Sequence, residues 1–302
     1  YGGEPSDIKQ AALPITAAIG GMVVPFLLFV LFNYNGSMAA GAGIPMATDI
    51  AFAIGVLALL GNRVPVALKI FLTALAVIDD LGAILVIAFF YTSSIAWSWL
   101  VAALGIFVTM LVLNRLKVNH LIPYLIGGAG LWYCMLHSGV HATIAGVLTA
   151  FAMPYGTGGK SSASYRVQHF LHRPVAFFIL PVFALANTAI TIPLGWQHSL
   201  TTSGSLGIIV GLAIGKPLGI MLFSKVSVAL NICKLPTDIN WKEIGATSIL
   251  GGIGFTMSIF ISLLAFNSVE HITISKIAII AASTLSGVLG YVALHIVLRT
   301  KK

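Results

Sequence analysis

Charge is what this sequence is short of. Asp, Glu, Lys and Arg make up 8% of its 302 residues, while 58% are hydrophobic; soluble globular domains carry roughly 25% charged residues. With a mean hydropathy of +1.02, a water-soluble fold is excluded. The apolar runs recur along the whole length, so a soluble domain on a single anchor is excluded too. Cysteine is scarce. Cys134, inside an apolar segment, and Cys233, in a connection, give neither a disulfide framework nor metal-ligand spacing. The net charge of +8 would suggest nucleic acid in a soluble protein; here the Lys and Arg read as markers of cytoplasmic loops. No nucleophile–base–acid set is visible, so an enzyme is not expected. No cleavable signal peptide is visible either, and a chain that starts at Tyr1 rather than Met is expected to have an incomplete N-terminus.

What the sequence has in abundance is apolar runs of membrane-crossing length, about 20 residues each. Broken by polar or Pro/Gly punctuation, they number about ten, near 11–34, 38–60, 66–92, 95–113, 121–138, 140–154, 174–190, 205–224, 244–266 and 273–298. The expected fold is an all-α polytopic membrane protein forming a single transmembrane domain over 1–302. Alternate connections hold Lys9, then Arg63, then Arg115 and Lys117, then Lys160, Arg166 and Arg173, then Lys225, Lys234 and Lys242, then Arg299, Lys301 and Lys302. The intervening connections are nearly free of positive charge, Lys276 being the main exception. Both ends are therefore expected on the cytoplasmic side.

Three of the eight acids lie inside spans: Asp49, Asp79 and Asp80. One base, Lys216 in "GLAIGKPLGI", joins them. Each sits near the midpoint of its run, so all four reach about the same depth. A carboxylate there costs ~2.5–3.5 kcal/mol on insertion scales, and intramembrane ionisable residues are functional by default; the bland alternative is a structural ion pair. Asp79 and Asp80, adjacent on a helix, point about 100° apart, so one can face a cavity and the other a neighbouring helix. Burial, like-charge repulsion and a nearby lysine all act on their protonation. A carboxylate that loses its proton is a hard oxygen ligand for a small cation, and competition of proton and cation for one site is the chemistry of exchange.

Two spans look broken. Gly41, Gly43 and Pro45 precede Thr48 and Asp49 in 38–60, and Gly251, Gly252 and Gly254 precede Thr256 in 244–266. The two share a pattern, Thr48-Asp-Ile-Ala-Phe52 against Thr256-Met-Ser-Ile-Phe260, and the spans before them echo each other as "AIGGMVVP" from Ala18 and "AIGKPLGI" from Ala213. Gly/Pro-interrupted segments at corresponding places point to a transporter with internal repeats. The two run in opposite senses, so inverted repeats are expected over about 11–92 and 205–298, with 93–204 intervening. Crossing broken helices bring four helix ends to the midplane, each carrying about half a charge. Asp49 is expected to offset the positive ends and Lys216 the negative ends.

"PMATDIAFAIGVLALLGNRVPVALKIFLTALAVIDDLGAILV", "SGVHATIAGV", "LPVFALANTAI", "GLAIGKPLGI" and "GGIGFTMSIFI", spread from Pro45 to Ile261, resemble the NhaA-type sodium/proton antiporters of bacteria. These are themselves a type example of the inverted-repeat, broken-helix architecture. The resemblance implies electrogenic, pH-regulated exchange of cytoplasmic Na+ or Li+ for external protons, with no cofactor. It implies that Asp80, with Asp79 as second carboxylate, binds the transported cation, and that Lys216, paired with Asp79, carries a proton. The helix crossing would fall on Thr48, Asp49, Gly254 and Thr256. Members have twelve spans, so roughly two helices are expected to be missing here. The implied homodimer has contacts in a hairpin between those helices. The resemblance also implies a bacterial inner membrane and a cytoplasmic C-terminus.

The family's pH-sensing face falls on the expected loop "SYRVQHFLHRP", with Gln168 where an acid is common and His169 and His172 nearby. Either histidine could tune activation, since imidazole titrates near neutrality; solvated histidines beside basic residues are the bland alternative. A sodium-coupled symporter of a small organic anion is the second function compatible with the sequence. It would want a larger polar cavity, and the Asp pair and midplane lysine favour the antiporter.

Overall fold

The computed structural model describes Lys9 and residues 12–91, 95–155, 162–190 and 196–299. Lys160, Lys301 and Lys302, used above for orientation, lie outside them. Among the described residues the regular structure is helical throughout. In chain order it comprises α1 (Leu13–Asn33), a 3-10 segment (Ala39–Met46), α2 (Ile50–Leu59), α3 (Val66–Phe90), α4 (Trp97–Arg115), α5 (Leu121–Ser138), α6 (Thr143–Ala152), α7 (Ala163–Pro174), α8 (Leu180–Thr188), α9 (Trp196–Leu200), α10 (Ser203–Val210), α11 (Lys216–Ala229), α12 (Trp241–Leu250), α13 (Phe255–Ala265) and α14 (Val269–Arg299).

Seven stretches among the described residues are long and apolar enough to cross a bilayer, and the pair α12–α13, bent by 49°, makes an eighth. This is a multi-pass membrane protein. The other two expected spans are helices as well. Of these, α6 has 10 residues and at 1.5 Å per residue covers about half of a hydrocarbon core. The span expected at 174–190 begins earlier, since the apolar stretch is helical over Ser164–Thr188. The segment "SYRVQHFLHRP" is thus helix α7 and not a loop. The Ser162 side chain accepts from the Tyr165 N–H at 3.3 Å, capping a helix start that the sequence reading overlooked.

Caps and turns set the other boundaries. Asn240 accepts from the Glu243 N–H at 2.9 Å while Glu243 accepts from the Asn240 N–H at 2.8 Å, a capping box that starts α12. Helix α5 stops at Gly139, whose φ of 81° lies where only glycine sits without strain.

The chain divides into two compact units. In the smaller, residues 84–186, α4, α5 and α6 pack through Ala103, Met110, Tyr124, Leu131 and Ala145. A Cβ on Gly127 would run into Met110 and one on Gly128 into Thr149, so these glycines let neighbouring helices close up, as small residues do in membranes. In the larger unit, residues 2–83 and 187–302, one core gathers Leu57, Leu68, Leu72, Leu250 and Leu294, and another gathers Leu13, Phe71, Leu75, Ile220 and Ile244.

Helices α1 and α11 meet backbone to backbone. A Cβ on Gly219 would stand 2.7 Å from the Gly20 carbonyl carbon and 3.0 Å from Val24 Cβ, atoms that cannot rotate away. Gly219→Ala is therefore expected to force the pair apart at about 1–3 kcal/mol. The melting temperature of the detergent-solubilised protein should fall by several degrees, whereas Gly55→Ala, at a helical glycine with open space around it, should not lower it. Equal melting of the two variants would contradict the close contact.

Candidate functional site

Both breaks lie in the larger unit. The first follows the 3-10 segment: Pro45 and two glycines keep residues 39–46 out of α-helix, and Ala47 is extended before α2 begins. The first half of this span is thus a 3-10 helix of 8 residues, longer than the three or four usual for that form. The second break is Gly251–Gly254, between α12 and α13. Non-helical backbone at membrane depth needs protein or water to satisfy it, and here each break satisfies the other. The Asp49 N–H donates to the Ile253 carbonyl at 2.6 Å. The Ser258 hydroxyl donates to the Ile44 carbonyl at 2.7 Å.

The carboxylate of Asp49 joins the two helix starts. Its Oδ1 accepts from the Phe52 N–H at 3.2 Å, at the head of α2. Its Oδ2 accepts from the Thr256 N–H at 3.0 Å and the Thr256 hydroxyl at 2.5 Å, at the head of α13. Gly254 caps α13, and a Cβ there would stand 3.0 Å from Leu212 Cδ2. The two helix ends of opposite polarity lie against polar side chains. The Met46 carbonyl accepts from Lys216 Nζ, and the Gly251 carbonyl lies 3.0 Å from the Thr48 hydroxyl.

Lys216 also forms an ion pair with Asp79, Nζ to Oδ2 at 2.6 Å, and both side chains are fully buried. The same Oδ2 accepts from the Thr48 hydroxyl at 2.6 Å. Asp80, the next residue, is half-buried. Asp79 Oδ1 and Asp80 Oδ1 are both buried with no hydrogen-bond partner among the described residues. Two carboxylate oxygens withdrawn from water and left without donors form a place that a proton or a small hard cation would stabilise.

The structure thus forms two hydrogen-bonded sets that meet at the adjacent residues Thr48 and Asp49: Thr48 with Asp79 and Lys216, and Asp49 with Thr256; Asp80 is next to Asp79 in sequence. His169 and His172 lie on α7 in the smaller unit, both exposed, with the His169 ring stacked on Tyr165 at 6.0 Å between centroids. The sequence reading missed Ser258 and Ser283; the Ser283 hydroxyl oxygen accepts from the Phe255 N–H at 3.0 Å. A serine in an apolar run was their only signal. The Met46 and Gly251 carbonyls gave no signal, since every residue carries one.

A family model described as Na+/H+ antiporter 1 matches residues 1–294. The chain belongs to this family. A Na+/H+ antiporter NhaA of Flavobacterium psychrophilum is 61% identical over 299 residues, which are 99% of this chain and 78% of that protein. Na+/H+ antiporter NhaA 1 of Flavobacterium johnsoniae is 60% identical over 302 residues, 100% of this chain and 79% of that one. The NhaA of Dechloromonas aromatica is 59% identical over 295 residues, 96% of this chain and 76% of the relative. As a member of the Na+/H+ antiporter 1 family the chain is a transporter and not an enzyme, with that family's helical membrane fold. Its bacterial relatives imply a cell membrane.

The crossing makes a stability prediction. Thr256→Val removes the hydroxyl donor to Asp49 and is expected to cost about 1.5–3 kcal/mol, the range for a hydrogen bond to a charged group. Asp49→Ala strands three donors at once and should cost more. Thermal unfolding in detergent checks the order; an Asp49→Ala protein as stable as Thr256→Val would show that the crossing does not depend on this carboxylate.

Proposed function

We propose that this protein is an electrogenic Na+/H+ antiporter that also accepts Li+, expelling cytoplasmic cation in exchange for external protons. The observation that carries the reading is the buried Lys216–Asp79 pair beside Asp80, next to a crossing of broken helices. The deprotonated Asp80 binds the cation together with Asp79. Asp79 is released to do so when Lys216 gives up its hold, and Lys216 carries a proton in the return half of the cycle. The partnerless Asp79 and Asp80 oxygens support this division, because an ion or a proton would supply what they lack. Moving one net charge inward gains about 2.3 kcal/mol per 100 mV, so membrane potential drives the exchange if more than one proton enters per cation.

Thr48, Asp49, Gly254 and Thr256 keep the crossing intact. Asp49 offsets the two positive helix starts, and Lys216 with Thr48 offsets the two negative ends. The repeats over about 11–92 and 205–298 rock around this point to expose the site to either side. Both termini face the cytoplasm; the one strong exception to the loop-charge pattern, Lys276, is buried on α14 and donates to the Ala189 carbonyl at 3.3 Å, so it is not a loop charge. His169 and His172, exposed on α7, tune activation by pH.

Everted membrane vesicles from a host without its own Na+/H+ exchange test the reading. Added Na+ or Li+ should dissipate a preformed proton gradient, more strongly as pH rises from about 6.5 to 8.5, because fewer protons then compete with the cation for the Asp79 and Asp80 carboxylates. Asp80→Asn should abolish the response. No response from the wild type, or an undiminished one from the variant, would count against it.

A further inference from the structure

The helix that carries Lys216 is not uniform. From Gly211 to Gly215 it widens into a π turn, closed by the Lys216 N–H donating to the Gly211 carbonyl five residues back. Pro217 follows, and with no N–H it cannot make the ordinary bond to Ala213, which leaves that turn free to widen. The same chemistry recurs at Val175–Ile179, another π turn, where the Leu180 N–H donates to Val175 and Pro181 follows. One extra residue in a turn rotates everything beyond it by about 100° relative to an uninterrupted α-helix. The π turn therefore decides which way Lys216 points.

Both breaks rest on this turn. A Cβ on Gly211 would stand 2.7 Å from Pro45 Cβ and 3.1 Å from its Cγ, so the bare backbone of Gly211 is the seat of the Pro45 ring. A Cβ on Gly252 would collide with the Leu212 carbonyl oxygen, and one on Gly254 would stand 3.0 Å from Leu212 Cδ2. On the far side, a Cβ on Gly215 would stand 3.1 Å from Pro25 Cα, in α1. Pro45 immediately precedes Met46, whose carbonyl takes the Lys216 ammonium. Seating Pro45 on Gly211 thus fixes the distance between an acceptor on the first break and a donor five residues further along the turn.

We propose that Gly211 is a positioning residue: with Pro45 seated on it, the π turn Gly211–Gly215 holds Lys216 in register with Met46 and Asp79, and it passes any movement of the broken segments on to that lysine. This rests on the antiport reading above. The contact between two small groups, one a backbone and one a rigid ring, leaves no flexible side chain to absorb a displacement, so shifting either partner shifts the lysine.

The test is an exchange of size across the contact, read as the apparent KM for Na+ in everted vesicles at one alkaline pH. Gly211→Ala should raise KM about tenfold or more, the effect of losing one hydrogen bond to the charged lysine. Pro45→Gly, which empties the seat, should raise it as well. In the double variant Gly211→Ala/Pro45→Gly the new methyl replaces the lost ring, and KM should return to within about twofold of the wild type, since contacting residues couple. Gly105→Ala, at a glycine with open space around it, is the control. A merely structural seat would lower the amount of protein in the membrane and the maximal rate but leave KM alone. Unchanged KM in both single variants, or a double variant whose change is the product of the two, would overturn the proposal. If Gly211→Ala does not accumulate, the other two variants decide: recovery of both level and KM in the double supports the seat, and an unaltered KM in Pro45→Gly overturns it. Wild-type vesicles with no Na+ response would remove the antiport reading itself, a result separable from active wild type with indifferent variants.

Discussion

Two helices that stop halfway across a membrane leave backbone N–H and C=O groups with no water to bond, and each end carries about half a charge that hydrocarbon does not screen. Asp49 meets that constraint from the positive side. One carboxylate accepts from the heads of α2 and α13 together, so a full negative charge faces two half charges. On the negative side Lys216 meets the Met46 carbonyl, and the uncharged Thr48 hydroxyl lies against Gly251. Take away the Asp49 carboxylate and both helix starts lose their shared acceptor at this depth.

Lys216 connects this scaffold to the chemistry. Its ammonium touches one helix end and one carboxylate, Met46 and Asp79, while Thr48 touches the other end and the same carboxylate oxygen. The ion pair is therefore not an independent unit beside the crossing; they share residues. Breaking a buried pair by removing one partner costs about 3–5 kcal/mol, and a cation arriving at Asp79 would have to offset that loss. If a cation binds at Asp79 as proposed, the shared partners couple its occupancy to the arrangement of the breaks.

Much of this was legible in the sequence because the membrane makes ionisable residues conspicuous. Asp49, Asp79, Asp80 and Lys216 stood out as four charges at one depth, and Gly/Pro clusters marked both breaks. What stayed hidden had no side-chain signature. The Met46, Gly251 and Ile253 carbonyls are invisible in any sequence. Ser258 and Ser283 are unremarkable among many membrane serines. The 3-10 form of residues 39–46 was hidden too, because Pro45 and two glycines allow a turn or a kink as readily. Helix α7 was misread as a loop because its basic residues suggested solvent, yet Ser162 caps it and it runs on into apolar helix. The π turn before Lys216 was foreshadowed by Pro217, although the proline alone does not say whether a helix kinks, breaks or widens.

The central claim is that sodium and protons compete for the same carboxylates. Equilibrium Na+ binding to the purified protein, measured across a series of pH values, tests it without transport. Competition requires the affinity for Na+ to fall as pH is lowered, by up to about tenfold per pH unit for each proton displaced, and to be lost in Asp80→Asn at every pH. An affinity independent of pH, or one that survives in that variant, would contradict it.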